Sequence, residues 1–166
     1  MRILFVFVFL SSIAFGQDFD NQNLLKKNSF SFNAGSIVVG HGIGVNYQRI
    51  FPKFFNFFPF KQTSSVVSVG TKLNHYENTL MGYLSIERVL FPYISYGLIT
   101  NVERKNHFEI YLGLCYRHEI TPYPAPNTIL PVVKFGYRYQ APQKNLVFTC
   151  GLGSVDLLYV GLGYAF

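Results

Sequence analysis

The sequence predicts an all-β fold: an antiparallel, up-and-down transmembrane β-barrel of about eight strands. Three observations carry this. Charged residues make up only 13% of the chain, and 18% is aromatic, all of it Phe or Tyr. That charge is about half of what a soluble globular domain carries, too little to coat a water-facing surface in the usual way. Beyond residue 16, no apolar run reaches the roughly 20 residues of a spanning helix. Segment after segment then alternates apolar with polar or small residues, the period of a strand with two unlike faces. A charge-poor chain with no such helix has one other common solution in a membrane. It closes a barrel in which every backbone N–H and C=O pairs with a neighbouring strand.

The first 16 residues, MRILFVFVFLSSIAFG, are set apart from this pattern. Arg2 is a positive n-region, 3–10 is an unbroken apolar run, and Ala14 and Gly16 frame a small-residue cleavage site. This reads as a secretory signal peptide. The run is too short for a membrane anchor, and no Cys sits at the cleavage point. Removing the signal lowers the formal charge by one, from +6 to +5. That mild excess suits an anionic membrane surface and is too weak to imply nucleic acid.

The strands follow in order. The first is expected within 34–50, AGSIVVGHGIGVNYQRI, whose glycines suggest a kink or bulge; two short strands meeting at GHG are the alternative. Residues 64–74 make a second. Residues 80–90 and 93–102 are apolar and separated by FP, which suggests a turn at Pro92. In 107–117, Phe108, Ile110, Leu112, Leu114 and Tyr116 share a face opposite His107, Glu109, Tyr111, Cys115 and Arg117. In 128–140, Ile129, Val133, Phe135, Tyr137 and Tyr139 oppose Thr128, Lys134, Arg138 and Gln140, with Pro131 marking a bulge or a strand edge. In 145–153, Leu146, Phe148, Cys150 and Leu152 alternate with Asn145, Thr149 and Gly151. The last strand, 157–166, puts Leu158, Val160, Leu162, Tyr164 and Phe166 on one face and Tyr159, Gly161, Gly163 and Ala165 on the other.

Turns are expected at 75–79, 103–106, 141–145 and 153–156, with longer connections at 51–63 and 119–127. With both termini periplasmic, 75–79, 103–106 and 141–145 fall inside, and 51–63, 91–92, 119–127 and 153–156 fall outside.

The chain closes on VGLGYAF. With its signal and alternation, it resembles the small outer-membrane β-barrel proteins of Gram-negative bacteria, of the uncharacterised eight-stranded type. GVNYQRI, KNHFEIYLGL and KFGYRYQ are similar to phrases in such barrels. The resemblance implies a barrel-assembly signal at Val160, Leu162, Tyr164 and Phe166, read by the assembly machinery. It divides the chain into a signal peptide at 1–16, a periplasmic segment at 17–33 and an outer-membrane barrel domain at 34–166.

Eight strands leave a bore just wide enough for side chains to fill. Glu109, Arg117, Lys134 and Arg138 are expected there as a polar network that fills it; a conducting pore is the weaker reading. Some barrels of this size are lipid A deacylases, which use a His and a Ser two apart with a Glu. The residues two after His41, His75, His107 and His118 are Ile43, Glu77, Glu109 and Ile120, so that motif fails. Outer-membrane proteases need a longer chain. His118 and Glu119 are adjacent and would point to opposite faces. No His or Cys pair has metal-ligand spacing. Cys115 and Cys150 lie on opposite faces of strands separated by another, so two free thiols are expected.

The densest feature is FPKFFNFFPF at 51–60. Phe54, Phe55, Phe57, Phe58 and Phe60 read as a lip on the membrane interface, extending an aromatic girdle, or as a patch for a lipid or protein partner. Lys53 and Lys61 would meet anionic head groups in either case. The functional expectation is a non-enzymatic, structural or adhesive envelope protein acting through its outer loops. A lipid-modifying barrel enzyme and a minor narrow channel are the alternatives. Expected partners are outer-membrane lipid and lipopolysaccharide, with the assembly machinery during biogenesis. No cofactor and no nucleic acid is expected, and nothing in the sequence sets an oligomeric state. A soluble, ligand-holding barrel would need the charged outer surface that this chain lacks.

Overall fold

The computed structural model describes residues 25–37, 40–57, 60–80, 83–102, 104–120, 126–141 and 144–166, with side chains at 37, 52–57, 60–62, 77–80 and 83–86 excepted. The expected signal peptide and residues 17–24 lie outside the described residues. Eight strands run in chain order: β1 Asn28–Ile37, β2 Gly40–Phe57, β3 Phe60–Leu80, β4 Tyr83–Ile99, β5 Asn106–Glu119, β6 Thr128–Tyr139, β7 Leu146–Gly153 and β8 Leu158–Ala165. Each pairs antiparallel with its neighbour, and β8 pairs with β1 to close the barrel. At the seam Asn28 N–H donates to Phe166 O (3.2 Å) and Phe166 N–H to Asn28 O (2.9 Å). Closure leaves no strand edge, as a hydrocarbon surrounding demands.

The count of eight agrees with expectation, but three of the expected early strands do not. Residues 34–50 are not one strand. β1 begins at Asn28, before the expected barrel start at 34, and the chain reverses between Ile37 and Gly40, which lie opposite each other. The glycines that suggested a kink flank a hairpin. Conversely, no turn occurs at Pro92, which is paired with Thr71 in the middle of β4. The ladder to β3 runs unbroken past it, while the ladder to β5 skips from Leu90 to Tyr93. A missing N–H interrupts one side of a strand without ending it. Pro131 likewise stays in β6, opposite Leu114, at a point where β7 has already ended. There Ser154 substitutes for a strand: its hydroxyl accepts from Val133 N–H (3.0 Å) and donates to Pro131 O (3.1 Å).

Of the expected loop at 51–63, residues 51–57 and 60–63 are also strand. β2 continues to Phe57 and β3 begins at Phe60, with a register shift between Ile50 and Phe54 that takes up Pro52. These changes reverse part of the expected sidedness. The 57–60 hairpin lies at the barrel end that holds Asn28 and Phe166, here called the terminal end. Residues 75–79 lie within β3 toward the opposite, distal end, and 91–92 lie mid-wall. The connections near 103–106 and 141–145 stay at the terminal end, and those near 119–127 and 153–156 at the distal end. In the β4–β5 connection Asn101 adopts a positive φ of 52°, a conformation Asn tolerates better than most residues. Its carbonyl accepts from Arg104 N–H at 2.8 Å.

Strand alternation sorts the side chains. On β5, Phe108, Ile110, Leu112, Leu114 and Tyr116 face outward and are exposed, while His107, Glu109, Tyr111 and Cys115 are buried in the bore. Burying such an outer wall against acyl chains, at about 25 cal/mol per Å² of apolar surface, is what a membrane supplies and water does not.

Candidate functional site

The bore has three levels. At the terminal level the Arg138 side chain is fully buried. Its guanidinium donates to Gln48 Oε1 (2.5 Å), to Gln140 Oε1 (2.8 Å from Nε) and to Ser29 Oγ (3.1 Å), and lies 3.4 Å from Glu109 Oε1. Tyr111 donates its hydroxyl to Glu109 Oε2 (2.9 Å) and accepts from Gln48 Nε2 (2.9 Å). Below this, His107 presents one ring nitrogen to Thr100 O (2.9 Å) and the other to Gln140 O (3.1 Å). Both partners are acceptors, so a neutral ring donates to one of them and an imidazolium to both.

At the middle level Lys134 sits over the Tyr93 ring, 4.0 Å from its centroid, with the Tyr159 ring at 5.9 Å. Lys72 forms a buried ion pair with Asp156, which reaches in from the distal connection between β7 and β8. At the distal rim Arg117 pairs with Glu119. Of the four expected network residues, the structure therefore joins Glu109 to Arg138, and sets Lys134 and Arg117 at separate levels with other partners. Lys72 and Asp156 were not anticipated. Lys72 is in phase with the inward Ser64, Val66 and Ser68, a signal the sequence does contain; Asp156 lies in an expected turn and carries none.

Apolar clusters close both ends of the polar band. Leu25, Ile50, Val66, Ile99, Val102 and Tyr111 pack at the terminal end. Val89, Phe91, Tyr93, Cys115 and Val132 pack toward the distal end, with Tyr76 and Val155 against them. Between them remains a cavity of about 30 Å³, lined by Lys72, Lys134, Glu109 and Tyr159 among others. That volume holds about one water.

The outer wall carries the remaining candidates. Val160, Leu162, Tyr164 and Phe166 form an outward row on β8, each more than half exposed. Near the terminal end the wall is ringed by aromatics: Phe30 lies opposite both Tyr47 and Tyr164, Phe108 opposite Tyr137, and Tyr139 opposite Phe148. Three of these tyrosines bond an Asn at the terminal strand ends: Tyr47 to Asn28 (2.8 Å), Tyr137 to Asn106 (2.6 Å) and Tyr164 to Asn145. An apolar ring body with a polar tip is the side chain favoured at a membrane interface. Phe54, Phe55, Phe57 and Phe60 are strand residues at the same end rather than a loop, and Phe58 lies outside the described residues.

His118 faces outward, stacked on Tyr116 and bonded to Asn127 Oδ1 at 3.1 Å, while its neighbour Glu119 faces the bore. His41 and His75 also face outward, with ring centroids 5.5 Å apart. Among the described residues no cluster of three or more His, Cys, Asp or Glu could hold a metal. Cys115 is buried in the bore and Cys150 half-buried on the wall, both as free thiols.

No family model matches the chain, and no curated protein does. Solved structures do. The crystal structure of Ail, the attachment invasion locus protein of Yersinia pestis, superposes with a TM-score of 0.57 at 12% identity, over 86% of this chain and 100% of that one. Ail in complex with the heparin analogue sucrose octasulfate gives 0.54 at 13% identity, again over 86% and 100%. The backbone structure of Ail in a phospholipid bilayer nanodisc gives 0.52 at 16% identity, over 85% and 99%. At these identities the likeness is one of fold: a small, closed, eight-stranded antiparallel barrel of the outer-membrane kind.

Proposed function

We propose that this chain is exported by a cleaved signal peptide to the outer membrane of a Gram-negative bacterium, where it serves as a non-enzymatic structural or adhesive barrel. The observation that carries the reading is the pairing of an apolar outer wall with a bore whose charges are engaged by one another or, for Lys134, by aromatic rings. Such a barrel has its free chemistry at its ends. With both termini periplasmic, the distal end faces outward. There β3 and β4 project past their neighbours: β2 pairs no further than Tyr76 and β5 no further than Val89, so residues 77–80 and 83–86 pair only with one another. This ribbon and the 120–127 connection are the surfaces for adhesion. The fold shared with an attachment invasion locus protein, one of whose structures holds a heparin analogue, supports that direction.

On this reading the Phe-rich segment lies at the periplasmic interface and extends the aromatic girdle. Val160, Leu162, Tyr164 and Phe166 serve as the assembly signal, and outer-membrane lipid and lipopolysaccharide are the partners of the wall.

Adherence of cells carrying the gene to sulfated polysaccharide should fall when residues 78–85 are replaced by a short turn, with barrel abundance unchanged. Equal adherence would remove the adhesive reading and leave the structural one. Lipid A mass spectra that change with the gene would overturn the non-enzymatic assignment.

A further inference from the structure

The outer wall is apolar along its middle, and at its distal edge three cationic or titratable side chains stand side by side on neighbouring strands. His41 on β2 lies opposite His75 on β3, which in turn lies opposite Arg88 on β4. All three face outward, with His41 and Arg88 exposed. Two residues nearer the membrane centre on the same strands lie Ile43, Leu73 and Leu90. Those side chains form the upper end of an apolar groove of about 670 Å³. Its floor is kept low by Ala34, Val45 and Thr71, and its lower end is bounded by Phe32, Phe148 and Leu162. The groove thus descends from a cationic row into the hydrocarbon level. Its volume lies within the roughly 300–1,000 Å³ of small-molecule sites.

We infer that this face holds one phosphorylated glycolipid of the outer leaflet, its phosphate on His41, His75 and Arg88 and an acyl chain in the groove below. This deepens the outer-membrane reading and rests on it. Charge complementarity selects the occupant. Arg88 offers a planar fork of donors suited to a phosphate oxygen pair, and two imidazoles beside it add further donors. A neutral or zwitterionic lipid would leave this row unanswered at the edge of the apolar band. Of the nearby outward residues, His118 is engaged by Tyr116 and Asn127, and along β3 the next acidic position, Glu77, is paired two register positions further toward the distal rim.

The test uses the full mature chain, folded in detergent and probed with bisphosphorylated lipid A by native mass spectrometry. The wild type should retain one lipid per barrel and hold dephosphorylated lipid A roughly tenfold more weakly, a difference of about 1.4 kcal/mol. The combined His41→Ala, His75→Ala, Arg88→Gln variant should lose that preference. Ala34→Phe, which fills the groove, should weaken both lipids while keeping it. Heat-modifiable migration of each variant reports folding separately, and its loss in the wild type would overturn the barrel reading itself. Lipid A retention unchanged in the triple variant, or phosphatidylglycerol held as tightly as lipid A, would overturn the site.

Discussion

Arg138 and Glu109 lie 3.4 Å apart, Nη1 to Oε1, on adjacent strands inside the barrel, with their side chains 0% and 2% exposed. Two charges taken this far from water need each other more than the fold needs the pair. Arg138→Met leaves the Glu109 carboxylate without its cation and should cost about 3–5 kcal/mol. Adding Glu109→Gln should recover most of that. Urea unfolding of the four proteins of the cycle in lipid vesicles checks it; additive losses would show that the pair is not a unit.

Leu112 lies outward at mid-wall and is 62% exposed. Leu112→Arg should destabilise the barrel by about 2–4 kcal/mol, because the charge enters hydrocarbon at its deepest. Tyr116→Arg, four residues closer to the distal rim, should cost no more than about 1 kcal/mol. Refolding yields and unfolding midpoints in vesicles give the two values, and equal costs would count against the depth assigned to these positions.

Gly113 shows how closely the strands approach. A Cβ there would lie 2.5 Å from Ser95 Cα and meet the Ile94 carbonyl, both backbone atoms that a rotamer change cannot move. Gly113→Val should therefore cost roughly 1–3 kcal/mol or prevent refolding. At Gly153 the nearest atoms are 3.3 Å away or more, so an added methyl asks only a few tenths of an ångström of its neighbours, and Gly153→Ala should cost less than Gly113→Val. Thermal migration shifts on gels distinguish the two.

The thiols make a chemical prediction. Cys115 faces the bore of β5, and Cys150 faces outward from β7, with β6 between them. Nonreducing mass measurement should show both as free thiols, and a loss of two hydrogens would contradict the assigned faces. A membrane-soluble maleimide should label Cys150 well ahead of Cys115.

The second half of the fold was legible in the sequence because each strand there sets large apolar residues against charged or small ones. Phe108 to Tyr116 and Leu158 to Phe166 face outward as the alternation requires. The first half was not, because Gly and Pro carry two meanings. Glycines flank the chain reversal between Ile37 and Gly40, whereas in mid-β4 Pro92 marks only an interrupted ladder. One missed turn and one surplus turn left the total at eight while shifting the Phe-rich segment from one end to the other. The bore was partly legible. Glu109 and Arg138 meet through the strand register, whereas Lys72 finds Asp156 across a closed barrel, a contact that only closure creates.

Tyr93 and Ile94 are neighbours on β4 with opposite surroundings, 8% and 57% exposed. The chain contains no tryptophan, so Tyr93→Trp and Ile94→Trp each install a single reporter. Folded into vesicles whose acyl chains carry bromine, the Trp at 94 should be strongly quenched and the Trp at 93 spared. Equal quenching at both positions, or quenching at 93 alone, would contradict an apolar wall turned toward lipid around a side-chain-filled bore.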